Sequence, residues 1–173
     1  QFPLGVPDMN KDTSSILLSS QEQTERIGET IAGLLKPHDV ITVSGPLGAG
    51  KSVLCRSIIQ TLCPNVTHIP SPTFSIINTY SAKHFSLFHM DLYRIKSSSE
   101  LTIIGVDEAL GDTTVFLVEW PDLFEQKYIT NTTRLLRITM TMQSDQRTLT
   151  FETQKSCPFP YESMIDYESN NML

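Results

Sequence analysis

Apolar residues recur along the chain in two rhythms. Ile27, Ile31, Leu34 and Leu35 share one face of a 3.6-residue helix, opened by the capping-box pair Ser20 and Gln23 and ended by Pro37. The run Val40-Ile41-Thr42-Val43 is short, apolar and bounded by polar residues, as a buried strand is. From Ser52 to about Leu62 the helical rhythm returns, with Leu54, Ile58 and Leu62 on one stripe that Val53 and Ile59 broaden. Beyond a connector carrying Pro70 and Pro72, Phe74–Tyr80 alternates as a strand, and Phe85–Met90 reads as a second. Ser81–His84 is short enough to turn between them as a hairpin.

Ser97 and Glu100 form another capping-box pattern, opening a helix through Leu101, Ile104 and Ala109-Leu110 that Gly105 breaks or kinks. Thr114–Val118 is nearly all apolar, as expected for a strand covered on both faces. A loop containing Phe124 and Tyr128 follows. Arg134–Met142 and Arg147–Thr153 then pattern as two strands around the polar turn Gln143–Gln146. Residues 1–15 and 154–173 show no period, so a loose N-terminal arm and a mobile C-terminal tail are expected around a domain spanning 16–153. A chain of 173 residues suffices for one such domain with a real core.

Between the strand at 40–43 and the helix from 52 lies Gly45-Pro46-Leu47-Gly48-Ala49-Gly50-Lys51-Ser52, a P-loop in the strand–loop–helix setting that supports such a motif. Its glycines let backbone N–H groups curl around an anion at a helix N-terminus. Lys51 can reach β- and γ-phosphates, and the Ser52 hydroxyl can ligate Mg²⁺. The expected fold is therefore α/β: a small P-loop NTPase domain with a mixed, mainly parallel sheet, helices on both faces and an antiparallel C-terminal hairpin.

Two acidic residues at predicted strand ends extend the site, because ligands of open α/β sheets bind outside those ends. Asp91 is placed like a Walker-B aspartate that serves Mg²⁺. Glu119 could orient or deprotonate a water, or help hold the metal. The alternative for each is a solvated carboxylate ending a strand. Thr73, in Ser71-Pro72-Thr73, could bond a γ-phosphate as switch loops do, or only cap a proline-stiffened turn. His89 on its apolar strand reads as packed or pocket-lining rather than as a ligand. Trp120, the only tryptophan, could close the site, anchor a partner or belong to the core.

The net charge of −6 argues against a broad polyanion-binding surface, so any nucleic acid is expected to be held by a partner. Cys55 and Cys63 sit eight residues apart on one predicted helix, about 12 Å along its axis and beyond disulfide reach. With Cys157 they form no metal-thiolate spacing, and a reducing compartment is the simpler expectation. No apolar run approaches the roughly 20 residues needed to span a membrane. A cytoplasmic location is expected, or an organelle if a targeting segment precedes Gln1.

Four blocks in order make the chain resemble the TsaE-type P-loop ATPases of tRNA threonylcarbamoyladenosine biosynthesis. They are the P-loop; Ser71-Pro72-Thr73-Phe74 with Tyr80 beyond; His89-Met90-Asp91-Leu92-Tyr93-Arg94; and Leu117-Val118-Glu119-Trp120-Pro121. Glu100-Leu101, Gly105 and Glu108-Ala109-Leu110 add the family's helix, and the resemblance covers roughly 16–153. It implies ATP and Mg²⁺ as cofactors and weak hydrolysis alone. It implies as partner the TsaD/TsaB-like complex that transfers threonylcarbamoyl to tRNA, with tRNA met through that complex. Carried over by motif, Gly45, Gly48, Ala49, Gly50, Lys51, Ser52 and Val53 surround the phosphates. Ser52, Asp91 and Glu119 serve the metal, and Glu119, Lys51 and Thr73 serve turnover. The same resemblance sets Gln21 and Arg147 near the nucleotide. Pro46 stands where the family commonly has an acidic residue, and Val53 where it often has a hydroxyl.

Two other readings remain open from the residues. A small-molecule kinase would need an arginine-rich lid, and Arg94, Arg134 and Arg137 are scattered instead. A nucleotide-gated binding module with little catalysis is compatible with Pro46 and Val53. A GTPase is disfavoured because no Asn-Lys-X-Asp motif occurs.

Overall fold

The computed structural model describes residues 10–111 and 113–170. In order these form β1 (Lys11–Leu18), α1 (Gln21–Leu34), β2 (Val40–Ser44), α2 (Lys51–Leu62), β3 (Ile77–Ser81), β4 (Ser86–Asp91) and α3 (Ser98–Ile103). They continue with α4 (Val106–Ala109), β5 (Thr114–Glu119), α5 (Asp122–Tyr128), β6 (Leu135–Gln143), β7 (Gln146–Gln154) and α6 (Glu162–Asn170). One sheet holds all seven strands in the order β1-β7-β6-β2-β5-β4-β3. The four at its centre, β6, β2, β5 and β4, run parallel. The hairpin β6–β7, the hairpin β3–β4 and the pair β1–β7 are antiparallel. The sheet is mixed as expected, with parallel pairing confined to the middle.

Strand alternation sorts the core into two layers. Ile41, Val43, Val115, Leu117, Leu136 and Ile138 face α1, α2 and α6, and pack on Ile27, Ile31, Leu54, Ile58, Ile59 and Met164. Val40, Phe116, Val118 and Leu135 point the other way, onto Leu101, Val106 and Phe124 of α3, α4 and α5. Serine caps the first helix: Ser20 Oγ accepts from Gln23 N–H at 3.3 Å, while the Gln23 side chain accepts from Ser19 N–H at 2.7 Å. The helix through Leu101 breaks at Gly105, whose φ of +90° caps α4.

Several expectations change. Residues 11–15 are not part of a loose arm; they belong to β1, whose partners run from Lys11↔Gln154 to Leu18↔Arg147. An edge strand can be polar because its ladder is built from backbone, and only Ile16 and Leu18 of β1 are buried. Residues 154–170 are not a mobile tail. Phe159, Tyr161 and Met164 are buried, Phe151 stacks on Tyr161 at 6.1 Å, and α6 follows. The remaining arm and tail positions, 1–9 and 171–173, lie outside the described residues. The strand expected from Phe74 begins at Ile77, because Ile76 adopts φ +67° and its N–H turns back to Pro72 O at 2.7 Å. The segment after Trp120 is helix α5 rather than loop. Its Glu125 accepts from Thr42 Oγ1 of β2 at 3.0 Å and from Arg137 Nε of β6 at 2.7 Å, tying two central strands together. Among the described residues no helix is long and apolar enough to cross a membrane.

Just before β2, Asp39 is 2% exposed and receives Arg134 Nε and Nη2, each at 2.9 Å. Burial pushes the Asp39 carboxyl up, against the pull of Arg134. Arg134 also donates to Leu34 O at 2.5 Å, so one guanidinium fixes the end of α1 and the start of β2. Arg134→Met strands a buried carboxylate and is expected to cost about 3–5 kcal/mol in urea unfolding, with much of the loss recovered in Asp39→Asn/Arg134→Met.

Candidate functional site

Strand β2 delivers the chain into a turn that two glycines make feasible. Gly45 adopts φ +147°, and a Cβ there would stand 2.3 Å from the Met140 carbonyl oxygen. Gly50, at φ +104°, is the N-cap of α2. Lys51 follows as the first helical residue and is 6% exposed. Its ammonium donates to Gly45 O at 2.6 Å and Pro46 O at 3.0 Å and lies 5.0 Å from the Trp120 ring centre. A charge so buried requires such partners.

The sheet register assembles the acidic half. Asp91 ends β4 directly opposite Glu119, which ends β5, and Glu119 lies opposite Val43 of β2. Opposed residues on neighbouring strands share a face, here the one covered by α2. Asp91 Oδ1 accepts from Tyr93 N–H at 3.0 Å, and Oδ2 from the Thr73 hydroxyl at 3.4 Å. Thr73 Oγ1 also meets Ser71 Oγ at 2.7 Å. His89 Nε2 stands 2.9 Å from Glu119 Oε2, both side chains being buried.

A single cleft brings most of the expected residues together. Gly48, Gly50, Lys51, Ser52 and Val53 form its floor, Asp91 and Glu119 one wall, and Ser71 and Thr73 its lip. Gln21 of α1, Arg147 of β7 and Trp120 close the remaining sides. Ala49 is not among the lining residues and is fully buried, and Gly45 faces Lys51 through its carbonyl instead. Ser52 Oγ and the two carboxylates supply only oxygen donors, a set that suits a hard cation such as Mg²⁺.

Four further side chains belong to this neighbourhood. His89 precedes Asp91 by two residues on β4, so period-two alternation alone sets it on the same face. Cys55 follows Lys51 by one helical turn and is fully buried; burial, aided by the Glu119 charge, pushes its thiol well up. Arg56 and Ser71 line a small cavity beside His89 and Glu119. Tyr93 pairs with Trp120 at 5.0 Å between ring centres, and Trp120 itself adopts φ +55°. Cys55 and Arg56 belong to none of the blocks above, and their place on the helix begun by Lys51 is the signal that finds them, whereas His89 and Tyr93 lie in the block around Asp91.

A family model described as "Threonylcarbamoyl adenosine biosynthesis protein TsaE" matches residues 18–149. Among curated proteins, the "tRNA threonylcarbamoyladenosine biosynthesis protein TsaE" of Rickettsia conorii is 42% identical over 108 residues, 62% of this chain and 61% of that one. The chain thus spans less than two thirds of that relative's length. The protein of the same name from Rickettsia bellii is 35% identical over 136 residues, 79% of this chain and 92% of that one. The crystal structure of Bacillus subtilis YdiB superposes with a TM-score of 0.67 at 29% identity, covering 92% of this chain and 96% of that one.

An anion seated on the loop would compete with the two carbonyls for the Lys51 ammonium and move it relative to Trp120. Inorganic pyrophosphate is therefore expected to change the intrinsic emission of this single tryptophan saturably. Lys51→Ala should abolish the change; an unchanged titration in that variant would separate the indole from the loop.

Proposed function

The chain belongs to the TsaE family, and on that premise we propose that it binds ATP with Mg²⁺ in the P-loop cleft. Hydrolysis there supports a TsaD/TsaB-like complex that transfers threonylcarbamoyl to a tRNA adenosine. The observation that carries this reading is the convergence of Lys51, Ser52, Asp91, Glu119 and Thr73 on one cleft. Lys51 exchanges its carbonyl partners for phosphate oxygens, and the loop N–H groups at the start of α2 hold the same anion. Ser52 and Asp91 would hold the cation, with Glu119 beside them. When bound, Mg²⁺ neutralises charge on the phosphoryl oxygens and fixes their orientation. Glu119 accepts a proton from, or orients, the attacking water, while His89 fixes its carboxylate from behind. Thr73 leaves Asp91 for the terminal phosphate and returns afterwards, making the 71–76 turn responsive to nucleotide state.

Surface features support a partner-dependent role. Leu47, Phe74 and Tyr93 beside the cleft are 85%, 81% and 59% exposed, an apolar rim suited to protein contact. The acidic net charge suits nucleic acid held by the partner rather than by this chain. A metabolite kinase finds little support, because Arg134 and Arg137 are engaged in ion pairs and Arg94 lies over the Phe74 ring at 4.7 Å.

Calorimetry and phosphate release test the reading on two variants. Lys51→Ala is expected to lose ATP binding, whereas Glu119→Gln should keep binding within a few-fold and lose about 10²–10⁴ in turnover. Normal turnover of Glu119→Gln would remove that residue from the chemistry. ATP binding and partner capture without phosphate release, with or without the transferase, would instead identify a nucleotide-gated module.

A further inference from the structure

Three buried metal-ligating side chains face one another beneath α2, on the sheet side of the cleft. We propose that Cys55, His89 and Glu119 form a second cation site, for a borderline-soft divalent metal of the zinc class. The site shares Glu119 with the oxygen set of Ser52 and Asp91 but differs from it in chemistry. One ligand atom from each residue lies within 4.8 Å of the other two, and the residues are 0%, 3% and 6% exposed. Tetrahedral zinc, with bonds of about 2.0–2.3 Å, needs ligand atoms roughly 3.3–3.8 Å apart, so closure asks for about 1 Å of side-chain movement. The three come from a helix and two adjacent strands of the central sheet, which limits their drift.

Charge and softness decide which cation fits. A thiolate and a carboxylate balance a divalent ion, and with a neutral imidazole the group carries no net charge, the least costly form in which to bury it. Thiolate and imidazole suit zinc, cobalt and cadmium, whereas Mg²⁺ requires octahedral oxygen. While no cation is present, burial and the Glu119 charge keep the Cys55 thiol protonated. On binding, the Cys55 Sγ–H bond breaks and its proton goes to solvent as the sulfur–metal bond forms. His89 ligates as the neutral tautomer with its proton on Nδ1, which leaves the Nε2 lone pair free. A cavity of about 10 Å³ lined by Ser52, Arg56, Ser71, His89 and Glu119 adjoins the site and admits a single water as fourth ligand.

Occupancy would draw Glu119 away from the cleft, so the zinc-class ion acts as an inhibitor of hydrolysis; this consequence rests on the role proposed for Glu119, whereas binding itself does not. Cobalt(II) is the probe. The full chain is expected to bind one equivalent with a thiolate-to-cobalt charge-transfer band and tetrahedral visible bands, displaced by zinc. The band should persist in Cys63→Ala/Cys157→Ala, where Cys55 is the only thiol, and vanish in Cys55→Ala. Absence of the band in the full chain, its loss in the double variant, or its survival in Cys55→Ala overturns the site. Zinc should inhibit Cys55→Ala phosphate release at least about tenfold less potently than that of the unaltered chain, the smallest loss expected even for an outer partner of a metal. Equal inhibition of both overturns the regulatory consequence, and a chain that binds cobalt as expected but never releases phosphate overturns the hydrolytic reading alone.

Discussion

A positive charge kept nearly out of water before any anion arrives is the constraint on which this structure depends. Lys51 is 6% exposed, and an ammonium in that position must find oxygen. The loop supplies it from its own backbone, through the carbonyls of Gly45 and Pro46. That solution explains why Gly45 cannot carry a side chain, since Met140 of the neighbouring strand occupies the space a Cβ would need. It also explains why Pro46 is tolerated: the loop uses that residue's carbonyl, and proline lacks only the N–H. Phosphate takes the ammonium over by displacing two charge-assisted hydrogen bonds, of 2.6 and 3.0 Å.

Sheet register does for the carboxylates what the turn does for the lysine. Asp91 and Glu119 are adjacent because β4 and β5 are parallel, in phase and end at the same row. Both lie on the α2 face, so the helix that begins with Lys51 roofs the strands that end with the acids. The opposite face is given to structure. There Glu125 of α5 joins Thr42 and Arg137, and Arg137 continues to Glu152 at 2.6 Å, bracing β2, β6 and β7 away from the cleft. The two faces of one strand thereby carry separate tasks, with Thr42 in the brace and its neighbour Val43 in the row beneath the cleft.

Much of this was legible where local pattern and tertiary role agree. The P-loop, the apolar run before it and the two acids at strand ends are local features, and the cleft contains the residues they single out. Legibility fails where a segment takes its structure from something distant. Lys11 to Ser15 is polar because an edge strand needs only backbone partners, and those partners are residues 150–154. Phe159, Tyr161 and Met164 are too few to set a period, and they are ordered by a core built elsewhere. Helix α5 has seven residues, too short for periodicity, although Pro121 with Asp122 and Glu125 is a helix-start signal in the sequence. Ile76 in the left-handed region is the opposite case, a β-branched residue where local preference argues against the conformation observed. Its place, between the Thr73 turn and the N–H of Asp91, is where backbone strain is tolerated because the surroundings fix it.

The way the sheet is closed has a consequence for how the chain is made. Strand β2 lies between β5 and β6, so both its neighbours are encoded at least 70 residues downstream, and β1 waits longer still for β7. A nascent chain emerging from the ribosome therefore presents the buried strand β2 with neither edge covered until β5 is made, 70 residues later. Distant pairings of this kind slow folding, and bare strand edges invite association with other chains. The hairpin of β6 and β7 is thus the closing piece: its arrival covers the free edge of β2 and pairs with the waiting β1, and the phosphate loop gains its rigid base only then.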